Sequence, residues 1–184
     1  MMRENFKCWY SDILDGLYAN GDAGFVILMV AFPLLERYLR EKIGVHERDV
    51  NADPVLAARF YDELRHVFPA LRDNTVARHF WHVCRNGLLH QATFSQRTLR
   101  GIKMPDVSLT RQVELLTIDP AGKFFWVHPA EFARTIIQTI EADFTTFEGQ
   151  NSVNHPLPVI YATSPEQSPG DPQTSSACPP TGIP

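Results

Sequence analysis

The chain has 184 residues, 44% of them hydrophobic, with 12 Phe, a formal net charge of −4 and a pI near 5.9. That length suits one domain with an appendage and supplies enough apolar side chains for a real core. The acidic balance excludes a uniformly basic DNA-binding module, but not an enzyme that touches a single phosphate locally.

Residues 9–19 place Trp9, Ile13, Leu14, Leu17 and Tyr18 at helical spacing, and Asn20-Gly21 supplies a stop. The first 24 residues lack the basic start and apolar core of a signal peptide. A second helix is expected from Asp22, as N-cap, to about Ile43, with Phe25, Leu28, Met29, Phe32, Leu35 and Leu39 as its core stripe. Its apolar run from Phe25 to Leu35 is too short to span a bilayer and ends against Glu36-Arg37, read as the solvent end of the helix. Pro33 inside it should kink it, because the bond to the Met29 carbonyl is lost. Asp53-Pro54 opens a third helix with the stripe Leu56, Phe60, Leu64 and Val67. A fourth starts near Asp73-Asn74 and runs through Val76, Phe80, Trp81, Val83, Cys84 and Leu88 to about Phe94.

The period then changes. Residues 96–111 read as a connecting loop, and Val113–Ile118 and Phe124–Val127 as two strands joined by the tight turn Asp119-Pro120-Ala121-Gly122. His128-Pro129 launches a fifth helix to about Phe147, buried along Phe132, Ile136, Ile140, Phe144 and Phe147. The expected fold is mostly α: a bundle of four to five helices with a small β-hairpin before the last, spanning residues 1–150. Residues 151–184 hold eight of the fourteen prolines and no Lys or Arg. Such a composition buries too little apolar surface to offset its ordering entropy, so a disordered, Pro-rich tail is expected.

The chemistry concentrates in one run, Arg85-Asn86-Gly87-Leu88-Leu89-His90, late in the fourth helix. A histidine titrates near neutrality and can move a proton either way. An arginine keeps its charge and holds phosphate through two parallel donors. Those are the groups that metal-free RNA cleavage requires: the neighbouring 2′-hydroxyl attacks after losing a proton, the leaving 5′-oxygen gains one, and the charge growing on phosphorus is stabilised. Gly87 costs a helix about 1 kcal/mol relative to Ala, and close approach of a neighbouring backbone is the expected return. The spacing alone has little specificity. Arg40/His46, Arg59/His66 and Arg72/His79 satisfy it as well, and chance supplies about one or two such matches in a chain this rich in Arg and His. Only Arg85 is followed directly by a polar residue and lies late in a long helix of the expected ordinal position, the fourth.

The helix order, the late hairpin and the Arg-Asn-x-x-x-His run together resemble the HEPN superfamily, small helical-bundle domains found in toxin–antitoxin systems, antiviral defence and RNA processing. The resemblance covers roughly residues 5–150. Nucleolytic members carry an arginine, usually a polar residue after it, and a histidine after roughly four to six intervening positions. The resemblance therefore implies Arg85 and His90 as catalytic residues, Asn86 as a binding residue, an RNA substrate, no metal and no cofactor. It also implies a homodimer that brings two motifs into one cleft, and a possible antitoxin or defence partner protein. On an ideal α-helix Arg85 and His90 point roughly 140° apart, so one helix presents them poorly to one phosphate. The tyrosine that the partner of HEPN–nucleotidyltransferase toxins modifies corresponds here to Ala92, which puts that route of neutralisation in doubt.

Two other readings stand beside this one. The same bundle could be a dimerising adaptor, with Arg85 and His90 in structural hydrogen bonds. His79 and His82 lie at chelating spacing, but no carboxylate or cysteine joins them on the helix, so no metal site is expected. The three cysteines, Cys8, Cys84 and Cys178, form no CxxC pair and suggest neither a disulfide framework nor a zinc site. No P-loop or GxGxxG is present. A cytoplasmic protein that does not enter the membrane is expected.

Overall fold

A computed structural model describes residues 3–45, 50–87, 98–99 and 102–149. The chain starts with α1 (Arg3–Phe6), a π segment (Lys7–Ser11) and α2 (Asp12–Tyr18), followed by the long α3 (Gly24–Ile43), α4 (Pro54–Val67) and α5 (Asn74–Trp81). A second π segment, His82–Asn86, extends α5. Five short strands come next: β1 (Thr98–Leu99), β2 (Ile102–Lys103), β3 (Asp106–Leu109), β4 (Leu116–Ile118) and β5 (Phe124–Val127). The described chain closes with α6 (Pro129–Ala142) and α7 (Phe144–Glu148). The protein is thus mostly helical with a small sheet, as the periodicity indicated. Residues 88–97 and the tail from 151 lie outside the described residues.

The helix starts follow capping chemistry. Asp53 Oδ1 accepts from the Val55 and Leu56 amides at 2.8 and 3.3 Å, and Asp73 Oδ1 accepts from those of Thr75 and Val76 at 2.9 Å each. The α3 start differs from expectation. Asp22 is not the cap: Asn20 caps a 3-10 turn over Gly21–Ala23, its Oδ1 accepting from the Asp22 amide at 2.9 Å, and α3 follows from Ala23 without a side-chain cap. α3 continues through Pro33 to Gly44, whose φ of 72° closes it in the left-handed region that glycine tolerates. Pro33 is exposed, on the side where water can serve the carbonyl it leaves unpaired.

α3 is the axis of the core and makes its most extensive contact with α6. Its stripe is wider than the expected one. Leu28, Phe32, Leu35 and Leu39 are fully buried, joined by Ile27, Ala31, Leu34 and Tyr38, while Met29 is 39% exposed. Phe132 of α6 stacks on Phe68 at 4.3 Å between ring centroids and lies 5.1 Å from Phe32 and 5.8 Å from Phe80. Trp81 meets Phe32 and Phe60 edge-on at 5.8 and 5.0 Å.

The sheet is larger than the expected hairpin. β4 and β5 pair antiparallel as anticipated, but β3 adds to the other side of β5 in parallel, giving the order β3-β5-β4. β1 and β2 form a separate antiparallel pair. Both findings overturn the reading of residues 96–111 as a loop. Phe125 and Val127 turn inward, Phe125 lying edge-on to Phe80 at 5.4 Å, and place the sheet against the helices. The fifth helix also breaks where none was expected: Asp143, at φ −123° and ψ 47°, separates α6 from α7.

Candidate functional site

Arg85 lies in the π segment His82–Asn86. A π turn widens the helix by closing hydrogen bonds over five residues, and such turns recur at functional positions. Ideal α-helical angles therefore do not hold at Arg85. Residues before it in the segment turn inward: Val83 is buried, and the Cys84 thiol is fully enclosed, its pKa pushed well up by burial. Arg85 itself points out of the core, with 24% of its side chain exposed.

Its guanidinium grips a carboxylate from another helix. Nε donates to Glu36 Oε2 at 2.7 Å, and Nη2 lies 2.7 Å from the same oxygen. Glu36 Oε1 accepts in turn from Arg40 Nε at 3.1 Å and lies 3.0 Å from Arg40 Nη2. One carboxylate, 15% exposed, is thus clasped by two guanidiniums, and among these three groups one positive charge remains in excess. Glu36 and Arg40 are one α-helical turn apart on α3, so they are neighbours by backbone geometry alone. Arg85 joins them only because α5 and its π extension lie alongside.

This corrects the reading of Glu36-Arg37 as the solvent end of a helix. Glu36 is a bridging group in mid-helix, and the Arg37 guanidinium covers the Phe147 ring at 4.9 Å. Of the expected site residues, Arg85 is placed with its partners. The backbone of Asn86 belongs to the π segment, while its side chain and the whole of His90 lie outside the described residues. Gly87 is buried, its amide bonded back to the carbonyls of Val83 and Cys84. His79 is half-buried, and burial together with Arg78 holds its imidazole below its ordinary pKa. Among the described residues, no group of three His, Cys, Asp or Glu side chains could hold a metal ion.

Other sequence readings resolve more simply. His128 is the helix-start residue expected of it: Nδ1 accepts from the Glu131 amide at 3.3 Å. No helix among the described residues is long and apolar enough to cross a membrane. No family model matches the chain, and neither a curated protein nor a solved structure does.

Proposed function

We propose that the protein is a metal-independent endoribonuclease of HEPN type that acts as a homodimer in toxin–antitoxin or antiphage defence. The observation that carries this reading is the state of Arg85: a permanent cation at the rim of the bundle, on a π turn, held in a fixed orientation by Glu36. A guanidinium oriented before substrate arrives meets the charge of a pentavalent phosphorane without reorganisation, which is where such a group lowers a barrier. Glu36 would be the positioning residue and Arg85 the catalytic cation. His90 would transfer the protons, with the 2′-hydroxyl forming the new bond to phosphorus and the 5′-oxygen leaving.

The dimerising-adaptor reading stays open on a specific observation. The same clasp engages the Arg85 guanidinium in an ion pair with Glu36, as a purely structural arginine would be.

The two readings separate in one experiment. The purified full-length chain, incubated with single-stranded RNA in EDTA, is expected to run as a homodimer in light scattering and to leave 2′,3′-cyclic phosphate ends. His90→Ala should lower the rate by about a hundredfold or more. Arg85→Ala should do comparable harm, and a 2′-deoxy substrate should not be cut. A folded wild-type protein without EDTA-resistant cleavage on varied RNAs would establish the adaptor instead.

A further inference from the structure

α3 carries an apolar row on the side it turns away from the core. Val26, Val30 and Pro33 follow one another at spacings of four and three, and Met29 flanks them, so helical geometry gathers them on one face. Val26 is 50% and Met29 39% exposed, two of the five large apolar side chains open to solvent among the described residues. Pro33 is exposed beside them, and Val30 is half-buried. A single exposed apolar residue needs no account, whereas a row of them on one helix face marks a docking surface. The Met29 carbonyl, which Pro33 deprives of its helical donor, adds a hydrogen-bond acceptor to the same face.

The chain itself returns to this row. Arg37 and Glu41 continue it toward the C-terminal end of α3, at spacings of four from Pro33 and from each other. Arg37 covers the ring of Phe147 in α7, and a Cβ at Gly149 would come within 2.6 Å of Glu41 Oε2. The described residues thus end at Gly149, on the face that carries the row and at its far end. From Glu41 back to Val26, α3 rises about 22 Å. After Gly149, seven residues (150–156) lead to Leu157-Pro158-Val159-Ile160-Tyr161, an apolar stretch in an otherwise polar, Pro-rich tail. An extended chain covers about 26 Å between positions 149 and 157, enough to reach Val26.

We propose that Leu157–Tyr161 docks on the exposed row of α3 in its own chain. In an extended segment Leu157, Val159 and Tyr161 project to one side about 6.6 Å apart. Residues four apart on α3 are separated by about 6 Å along the helix, so the two apolar rows match in spacing. Pro156 and Pro158 favour extended backbone in the residues before them, which lowers the entropic cost of docking. The short tether decides between this segment and a second copy of the chain: it holds the segment at an effective concentration on the order of millimolar. The docked segment would border Glu36, three positions from Pro33, but the proposal does not depend on the ribonuclease reading.

The test is NMR on the isotope-labelled full-length protein. Nuclear Overhauser contacts should join the methyls of Leu157 and Val159 to those of Val26, Met29 and Val30. Backbone order parameters of Leu157–Tyr161 should approach the value of about 0.85 found in rigid backbone. Val159→Asp in the tail and Val26→Glu on the exposed row should each abolish the contacts and lower those order parameters below about 0.6. A mixture of labelled and unlabelled protein, filtered for contacts between molecules, should show none of these cross-peaks. The proposal is overturned if the wild type shows no such contacts, or order parameters already below about 0.6. It is equally overturned if either variant leaves the contacts intact, or if they appear in the filtered mixture, which would make the row an interface between copies.

Discussion

Glu36 ties α3 to the π segment that extends α5. Both of its oxygens are engaged, each by a different arginine, and it is more buried than either. Hydrogen bonds between charged groups contribute about 1.5–3 kcal/mol each when partly shielded, and an unmatched partner left behind adds desolvation cost. Glu36→Gln keeps the shape and removes the charge, so it should lower unfolding stability by about 1–3 kcal/mol in urea denaturation. A loss below about 0.5 kcal/mol would show that the clasp behaves as an ordinary surface pair. In the ribonuclease reading the same variant should also reduce cleavage while leaving His90 in place, because Arg85 loses its orientation.

Where elements meet, the joint between α6, α7 and α3 is the most electrostatic. Asp143 separates the two C-terminal helices and accepts from Lys42 Nζ at 2.9 Å and Tyr38 Oη at 3.1 Å, both on α3. Burial pushes the Asp143 carboxyl up, but the hydrogen bonds from Lys42, Thr146 and Tyr38 outweigh it and hold the pKa below its ordinary 3.8. A carboxyl depressed on folding contributes stability above its unfolded pKa and loses that contribution as pH falls through the folded value. The Lys42 ammonium is shifted upward by its bonds to Asp143 and Tyr38, so its share persists until strongly alkaline pH. Stability measured against pH should therefore decline below about pH 3.9, and Asp143→Asn should flatten that decline while lowering the plateau at neutrality. An unchanged acid limb in the variant would remove Asp143 from the joint.

Over the whole molecule, one aromatic cluster couples the helices to the sheet. Phe132 touches rings from α3, α5 and the turn after α4, and Phe80 passes the contact on to Phe125 of β5. Phe132 is completely buried, so truncation leaves a cavity bordered by several elements. Phe132→Ala should cost about 3–5 kcal/mol. Tryptophan fluorescence and circular dichroism should still report one coincident unfolding transition, since Trp81 and the helices share this core. Two separate transitions would mean that the sheet and the bundle fold independently.

Much of this was legible in the chain itself. Asp53-Pro54, Asp73 and His128 announce three helix starts, because capping is chemistry between residues two or three apart. The stripes Phe60–Leu64 and Phe132–Ile136–Ile140 announce buried faces, because helical period depends only on backbone geometry. Arg85 was visible as a cation late in its helix. What stayed hidden depends on partners distant in sequence. β3 is four residues long and becomes a strand only through pairing with β5, which follows it in the chain beyond β4. Glu36 could be paired with Arg40 from spacing alone, but its bond to Arg85 crosses 49 positions. Gly149 meets Glu41 only because α7 returns to α3. Local hydrogen bonding and helical period are written into neighbouring residues, whereas the meeting of charges and walls from separate elements is decided when the core packs.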